Sequence, residues 1–227
     1  MLWQEENSPK QAIVHNHIMD MAFDINCRCL PVDHAYALSQ AIAQALPWFE
    51  QEPEAGLHLI HGAESGNGWN RPEEQDDLLY LSRRTKLILR LPEHRITDAQ
   101  TLKGMTLDIA GYSLKVGAAK SKPLTSMPVL FARHIIANPS LDEDSFLNHA
   151  VTQLQQIGIE CRKALCGLTH QFLMPDGPLL TRSLMIADLK HQDSISLQQQ
   201  GLGEGRKMGC GLFVPHKDIK AVNPEAE

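Results

Sequence analysis

Gly201-Leu202-Gly203-Glu204-Gly205-Arg206-Lys207-Met208-Gly209-Cys210-Gly211 is the stretch from which the fold can be read. Five glycines fall at odd positions, with Arg206 and Lys207 at the centre. Glycine lacks a Cβ, so such a loop can reach φ > 0 and lie close against another backbone. Successive exposed N–H groups make a concavity for anions, and adjacent cations strengthen it. The residues before it, about 190–200, pattern as a helix, and Leu212, Phe213 and Val214 read as a buried strand. A P-loop is excluded, because no Gly-Lys-Ser/Thr opens a following helix. The dinucleotide fingerprint runs strand, loop, helix, which is the reverse order. A basic glycine loop held by a strand points to a phosphate-bearing ligand; the plain alternative is a turn with incidental charges.

Working outward, the residues on the N-terminal side of the loop form one repeat of elements. Met127 to Ala137 reads as a strand. Leu141 to Ile157 has an acidic first turn and apolar Phe146, Ala150, Val151, Leu154 and Ile157 at helical spacing. Cys161 to Leu173 and Leu179 to Leu189 read as strands joined around Pro175-Asp176-Gly177. With the short helix, the loop and the last strand, the order is βαββαβ. The first half repeats it. Met19 to Cys29 reads as a strand, and a helix follows Pro31-Val32-Asp33-His34 with Asp33 as N-cap and Leu38, Ala41, Ile42 and Ala45 on one face. Pro47 closes the helix. Gly56 to Ile60 and Thr85 to Leu91 read as strands, Thr97 to Leu102 as a short helix, and Met105 to Val116 as one more strand. The exposed loop from Gly62 to Asp77 is glycine-rich and acidic.

The pattern predicts an α+β chain of tandem ferredoxin-like domains. The expected boundaries are a leader at 1–18, an N-terminal domain at 19–118 and a linker at 119–126. A C-terminal domain follows at 127–217, then a tail at 218–227. A length of 227 residues with 43% apolar content suits two small domains with real cores. Net charge is −6, which argues against indiscriminate coating of nucleic acid. The charge is segregated, however. Residues 109–141 contain no Asp or Glu while carrying Lys115, Lys120, Lys122 and Arg133, and Arg83, Arg84, Lys86, Arg90 and Arg95 face only Glu93 in their stretch. The five cysteines include no CxxC pair and suit reduced thiols in a cytosolic protein. No apolar run approaches the ~18 residues of a membrane span.

These features resemble the RAMP superfamily of CRISPR-associated proteins, and within it the family of the sixth numbered Cas protein, the crRNA-processing endoribonuclease. The resemblance rests on Gly203, Gly205, Arg206, Gly209 and Gly211, on the junction from Leu30 to Leu38, and on Gly56-Leu57-His58-Leu59-Ile60-His61-Gly62. It implies a cytoplasmic RNA-binding nuclease of antiviral defence that cuts repeat RNA once. The cut comes from 2′-hydroxyl attack on the adjacent phosphate, without metal or cofactor, leaving a 2′,3′-cyclic phosphate. The implied partner is CRISPR repeat RNA, as precursor and as crRNA, with other Cas effector subunits as further candidates and no membrane. Two alternatives stay open: a non-catalytic RNA-binding subunit of an effector complex, and a ferredoxin-like enzyme for a small phosphorylated ligand.

The chemistry needs a base for the 2′-hydroxyl, an acid for the leaving 5′-oxygen, and cations for the phosphorane. His34 is the first choice for base. It opens the helix, where the macrodipole favours a neutral ring, although Asp33 acts the other way. A capping or packing histidine is the alternative. His58 and His61 come next; strand alternation turns them to opposite faces, so at most one joins His34. RNA contacts are expected from Gly203, Gly205, Arg206, Lys207, Gly209 and Gly211, from Arg83 and Arg84, and from Lys120 and Lys122. The last two also read as ordinary solvated linker lysines. No metal cluster is expected, and His170, His191 and His216 have no partner at ligand spacing. His15-Asn16-His17 does not make an HNH nuclease, whose residues are spread over a ββα unit.

Overall fold

The computed structural model describes residues 17–62 and 77–216. The leader apart from its last two residues, nearly all of the acidic loop, and the tail lie outside them. Strand β1 (Ile18–Asn26) leads into the short β2 (Cys29–Pro31) and helix α1 (Ala35–Ala45). Next come β3 (Gly56–His58), β4 (Leu78–Tyr80) and β5 (Lys86–Pro92). A helical segment over 93–102 contains α2 (Ile96–Ala99), and β6 (Thr106–Ile109) and β7 (Tyr112–Pro123) follow. The first sheet has the order β3-β5-β1-β7-β6 with antiparallel neighbours. If the β6–β7 hairpin counts as the fourth strand, this is the ferredoxin-like order.

Alternation sorts β1 and β5 cleanly. Met21, Phe23, Leu87, Leu89 and Leu91 turn to one face, where Leu38 and Ile42 of α1 and Leu46 just after it close the core. Each such side chain contributes about 1.5–3 kcal/mol on full burial. The opposite face carries Asp20, Ala22, Lys86, Ile88, Arg90, Lys120 and Lys122, which the register places side by side. The expected single strand over 105–116 is instead a hairpin. Ala110 and Gly111 both take positive φ, and the Gly111 N–H donates to Asp108 Oδ1 at 2.7 Å. The stretch read as a linker is strand as far as Pro123, paired with Met19.

The second half consists of β8 (Leu130–Ile136), α3 (Glu143–Gln156), β9 (Lys163–Met174), β10 (Gly177–Ala187), α4 (His191–Gln200) and β11 (Val214–Pro215). Its sheet order, β11-β8-β10-β9, is the same ferredoxin-like order. The chain is therefore a tandem ferredoxin-like protein. Asp142 caps α3 by accepting from the Ser145 N–H at 2.9 Å, and Phe146, Ala150 and Leu154 face the core. The final strand is shorter than expected, since only Val214 and Pro215 pair with β8.

The halves meet through α4, the glycine loop and the β9–β10 hairpin. Phe172 of β9 is buried with Ala35 of α1 and Cys210 of the loop. Ser194 and Gln198 of α4 bond main-chain atoms of Met127 and Thr125 in the connecting segment.

Candidate active site between the two halves

A small cavity opens where the halves meet, lined by Val32, His34, Leu59, Ile60, His61, Leu79 and His134. Its free space of about 10 Å³ admits a single water molecule. Three histidines from distant parts of the chain thus border one pocket. His34 comes from the turn before α1, His61 from the segment after β3, and His134 from β8.

His34 is only 4% exposed. Its Nδ1 donates to Pro31 O at 2.9 Å and approaches Val32 O at 3.2 Å, while Nε2 accepts from the Ile60 N–H at 3.2 Å. That network assigns a neutral ring with its proton on Nδ1. The Nε2 lone pair is engaged by a backbone amide, so in this structure His34 does not present a base to a substrate. It fixes the 31–34 turn and the backbone immediately before His61. Nor is Asp33 the N-cap of α1. His34 holds that position without a side-chain cap, and Asp33 Oδ2 accepts from the Leu173 N–H of β9 at 2.6 Å. A residue expected to cap a local helix joins the halves instead, because β9 brings an unpaired amide to it.

His58 does not line the pocket. Leu57 turns into the core, so His58 faces the other way, with Nε2 3.5 Å from Asp20 Oδ1. Burial pushes its pKa down more strongly than Asp20 raises it. His61, half-buried in the segment after β3, lines the pocket together with His34.

No spacing in the sequence pairs His134 with His170. Buried His134 bonds Thr181 Oγ1 through Nδ1 at 3.1 Å. Its ring lies edge-on to His170 at 5.4 Å and tilted against Phe172 at 4.7 Å. The available signal was a histidine interrupting the apolar run Leu130–Ile136, a position that needs a buried partner.

The glycine loop stands behind this pocket. Gly201, Gly203, Gly205, Gly209 and Gly211 all have φ between 71° and 83°. At Gly209 a Cβ would sit 2.6 Å from Leu59 Cγ and 3.2 Å from Leu57 O, so the loop backbone lies against the strand leading to the pocket. The Gly211 N–H donates to His134 O at 2.7 Å. Arg206 and Lys207 are half-buried, and their terminal donors turn to main-chain carbonyls. Arg206 Nη2 donates to Glu54 O at 3.0 Å and Nη1 donates to Gln200 O. Lys207 Nζ donates to Ala55 O at 3.0 Å and to Glu52 O, and lies 4.7 Å over the Phe49 ring. The carbonyls of the 52–55 turn compete successfully for these cations. By contrast Arg83, Arg84, Lys120 and Lys122 are exposed.

Arg90 staples the loop at both ends. It is fully buried, and Nη1 donates to Gln198 O at 2.9 Å before the loop and to Phe213 O at 2.7 Å after it. Nε and Nη2 hold both oxygens of Asp20 at 2.8 and 3.0 Å. Burial disfavours the Asp20 carboxylate, yet Arg90 and His58 hold its pKa well below the ordinary value.

A family model described as Cas6 Crispr matches residues 19–218. The chain belongs to the Cas6 family. It is 29% identical over 197 residues to the CRISPR-associated endonuclease Cas6 of Myxococcus xanthus strain DK1622, covering 87% of this chain and 81% of that one. Among solved structures, a CRISPR associated protein Cas6 superposes with a TM-score of 0.60 at 13% identity, over 88% of this chain and all of that one. A Cas6-related protein from Pyrococcus furiosus gives 0.60 at 13% identity, over 86% and 97%. At such identity these structures support the fold alone: a Cas6 arrangement of two ferredoxin-like halves.

Proposed function

We propose that this chain is an endoribonuclease that binds CRISPR repeat RNA against the cleft between its halves and cuts the precursor transcript to mature crRNA. The observation that carries the reading is the convergence of His34, His61 and His134 on one pocket in a chain of the Cas6 family. The Myxococcus relative's name as an endonuclease supports the activity.

Cleavage proceeds without a metal ion. The 2′-oxygen attacks the adjacent phosphorus and loses its proton to a base. The P–O5′ bond breaks, the leaving oxygen takes up a proton, and a 2′,3′-cyclic phosphate remains. His61 is the base, because it lines the pocket half-buried while the His34–Ile60 bond orders the backbone before it. His34 thereby becomes a positioning residue, and His58 belongs to the Asp20–Arg90 network.

Arg83, Arg84, Lys120 and Lys122 contact backbone phosphates. Arg83 and Arg84 follow β4, whose Leu79 lines the pocket, and Lys120 lies opposite Ala22 on the face that carries Arg90. The test is single-turnover cleavage of the repeat RNA from the same genome in EDTA, with a deoxynucleotide at the cut site as control. Cutting in EDTA that the deoxynucleotide abolishes is the expected result. Strict Mg²⁺ dependence with a free 3′-hydroxyl would refute the mechanism, and tight binding without cutting would make the chain a non-catalytic subunit.

A further inference from the structure

We propose that Arg206 and Lys207 are positioning residues that act through the glycine loop on the two walls of the histidine pocket, and are not contacts for RNA phosphate. The inference rests on the functional reading above and deepens it.

The geometry has three links. First, Lys207 Nζ and both Arg206 Nη atoms end on main-chain carbonyls: Glu52, Glu54 and Ala55 in the N-terminal half and Gln200 at the end of α4. Carbonyl oxygens and the Phe49 ring replace part of the water around these half-buried cations, and burial accordingly lowers the Lys207 pKa to about 8 and that of Arg206 to about 10. Second, the clasped loop returns on itself. Leu202 N–H donates to Gly211 O at 3.0 Å, and Cys210 N–H donates to Gly205 O at 3.1 Å. A pull on one part of the loop is therefore felt along all of it. Third, the loop touches the pocket on both sides. Gly209 lies against Leu59, and Gly211 holds the main chain of His134. Loss of the clasp would free the loop to shift against both walls. Positioning errors near 1 Å cost about 10²-fold in rate.

The two roles separate in measurement. A phosphate contact contributes to affinity, and its loss flattens the dependence of log K on log salt by roughly 0.7–0.9 per charge. A positioning residue changes the chemical step and leaves that slope alone. Lys207→Met removes both donors and charge, while Lys207→Gln removes the charge but keeps an amide that can reach a carbonyl. The expected result is a single-turnover rate at least ~10-fold lower for Lys207→Met and partly restored in Lys207→Gln. Binding and salt slope should match the wild type, with circular dichroism confirming the fold. A flattened slope in either variant, or wild-type rates in both, overturns the proposal.

Lysine acylation of the wild-type protein with and without RNA gives an arm that needs no variant. RNA should protect Lys120 and Lys122 and leave the acylation rate of Lys207 unchanged. Protection of Lys207 by RNA overturns the proposal. A wild type that cuts no RNA refutes the functional reading itself, and that result precedes any variant.

Discussion

Replacing Arg90 by methionine should be among the most damaging single changes to the fold. The guanidinium is fully buried and makes four hydrogen bonds: two to Asp20 and one each to Gln198 O and Phe213 O. Breaking a buried ion pair by removing one partner costs about 3–5 kcal/mol. Each orphaned carbonyl adds about 1–3 kcal/mol when no water reaches it. These terms share one site and do not add in full. The Asp20 side chain is also 24% exposed, so water resolvates part of its charge. About 4 kcal/mol is the expected net loss.

Asp20→Asn should lose about 3 kcal/mol, since it leaves a cation buried without its counter-charge. The double variant should fall short of the sum by about 2 kcal/mol, because the second change removes an already broken pair. Urea unfolding of wild type, both singles and the double measures all four values. Hydrogen exchange should show residues 201–211 opening first in Arg90→Met, because both anchors of the loop are gone. A loss under about 1 kcal/mol, or additivity within about 0.5 kcal/mol, would refute the view that this pair carries the junction.

Acid should act on the same pair. The folded pKa of Asp20 lies below its ordinary 3.8, so the unfolded chain takes up the proton first as pH falls. The stabilisation is complete above that value and is lost progressively beneath it; Asp20→Asn should flatten this acid limb in urea titrations. Gly209→Ala should lower stability by about 2–4 kcal/mol in thermal melts, from left-handed strain plus the contact with Leu59. A neutral substitution would mean the loop can move away from β3. His61→Ala should slow single-turnover cleavage by ~10²–10⁴-fold with little change in binding. A wild-type rate would remove His61 from the chemistry. Lys120→Ala with Lys122→Ala should weaken binding to repeat and unrelated hairpins alike and flatten the salt slope by roughly 0.7–0.9 per charge, whereas an unchanged slope would place the RNA elsewhere.

Local physics made much of this chain legible in its sequence. The alternation in Leu87, Leu89 and Leu91 and the helical spacing of Leu38, Ala41 and Ile42 depend only on the periods of strand and helix. They suffice to write βαββαβ twice and to place the cores. The glycines were legible too, since positive φ is a local property that leaves glycine in the sequence. Even so, the turn at Ala110-Gly111 is hidden in the sequence, because its second strand continues the apolar pattern of the first.

What only the tertiary structure decided is where polar side chains end. Arg206 and Lys207 had two possible partners, a phosphate outside or carbonyls inside, and nothing in their neighbours chooses between these. The choice is made by a turn at 52–55, some 150 residues away, whose carbonyls reach them. Asp33 and Leu173 meet for the same reason, and Arg90 meets Phe213 across a separation of 123 residues. His34, His61 and His134 share a pocket because the two halves pack together, and burial then requires each imidazole to find a partner. Periodicity tells a side chain which face it occupies. The opposing surface supplies its partner, and in this protein that surface belongs to the other half of the chain.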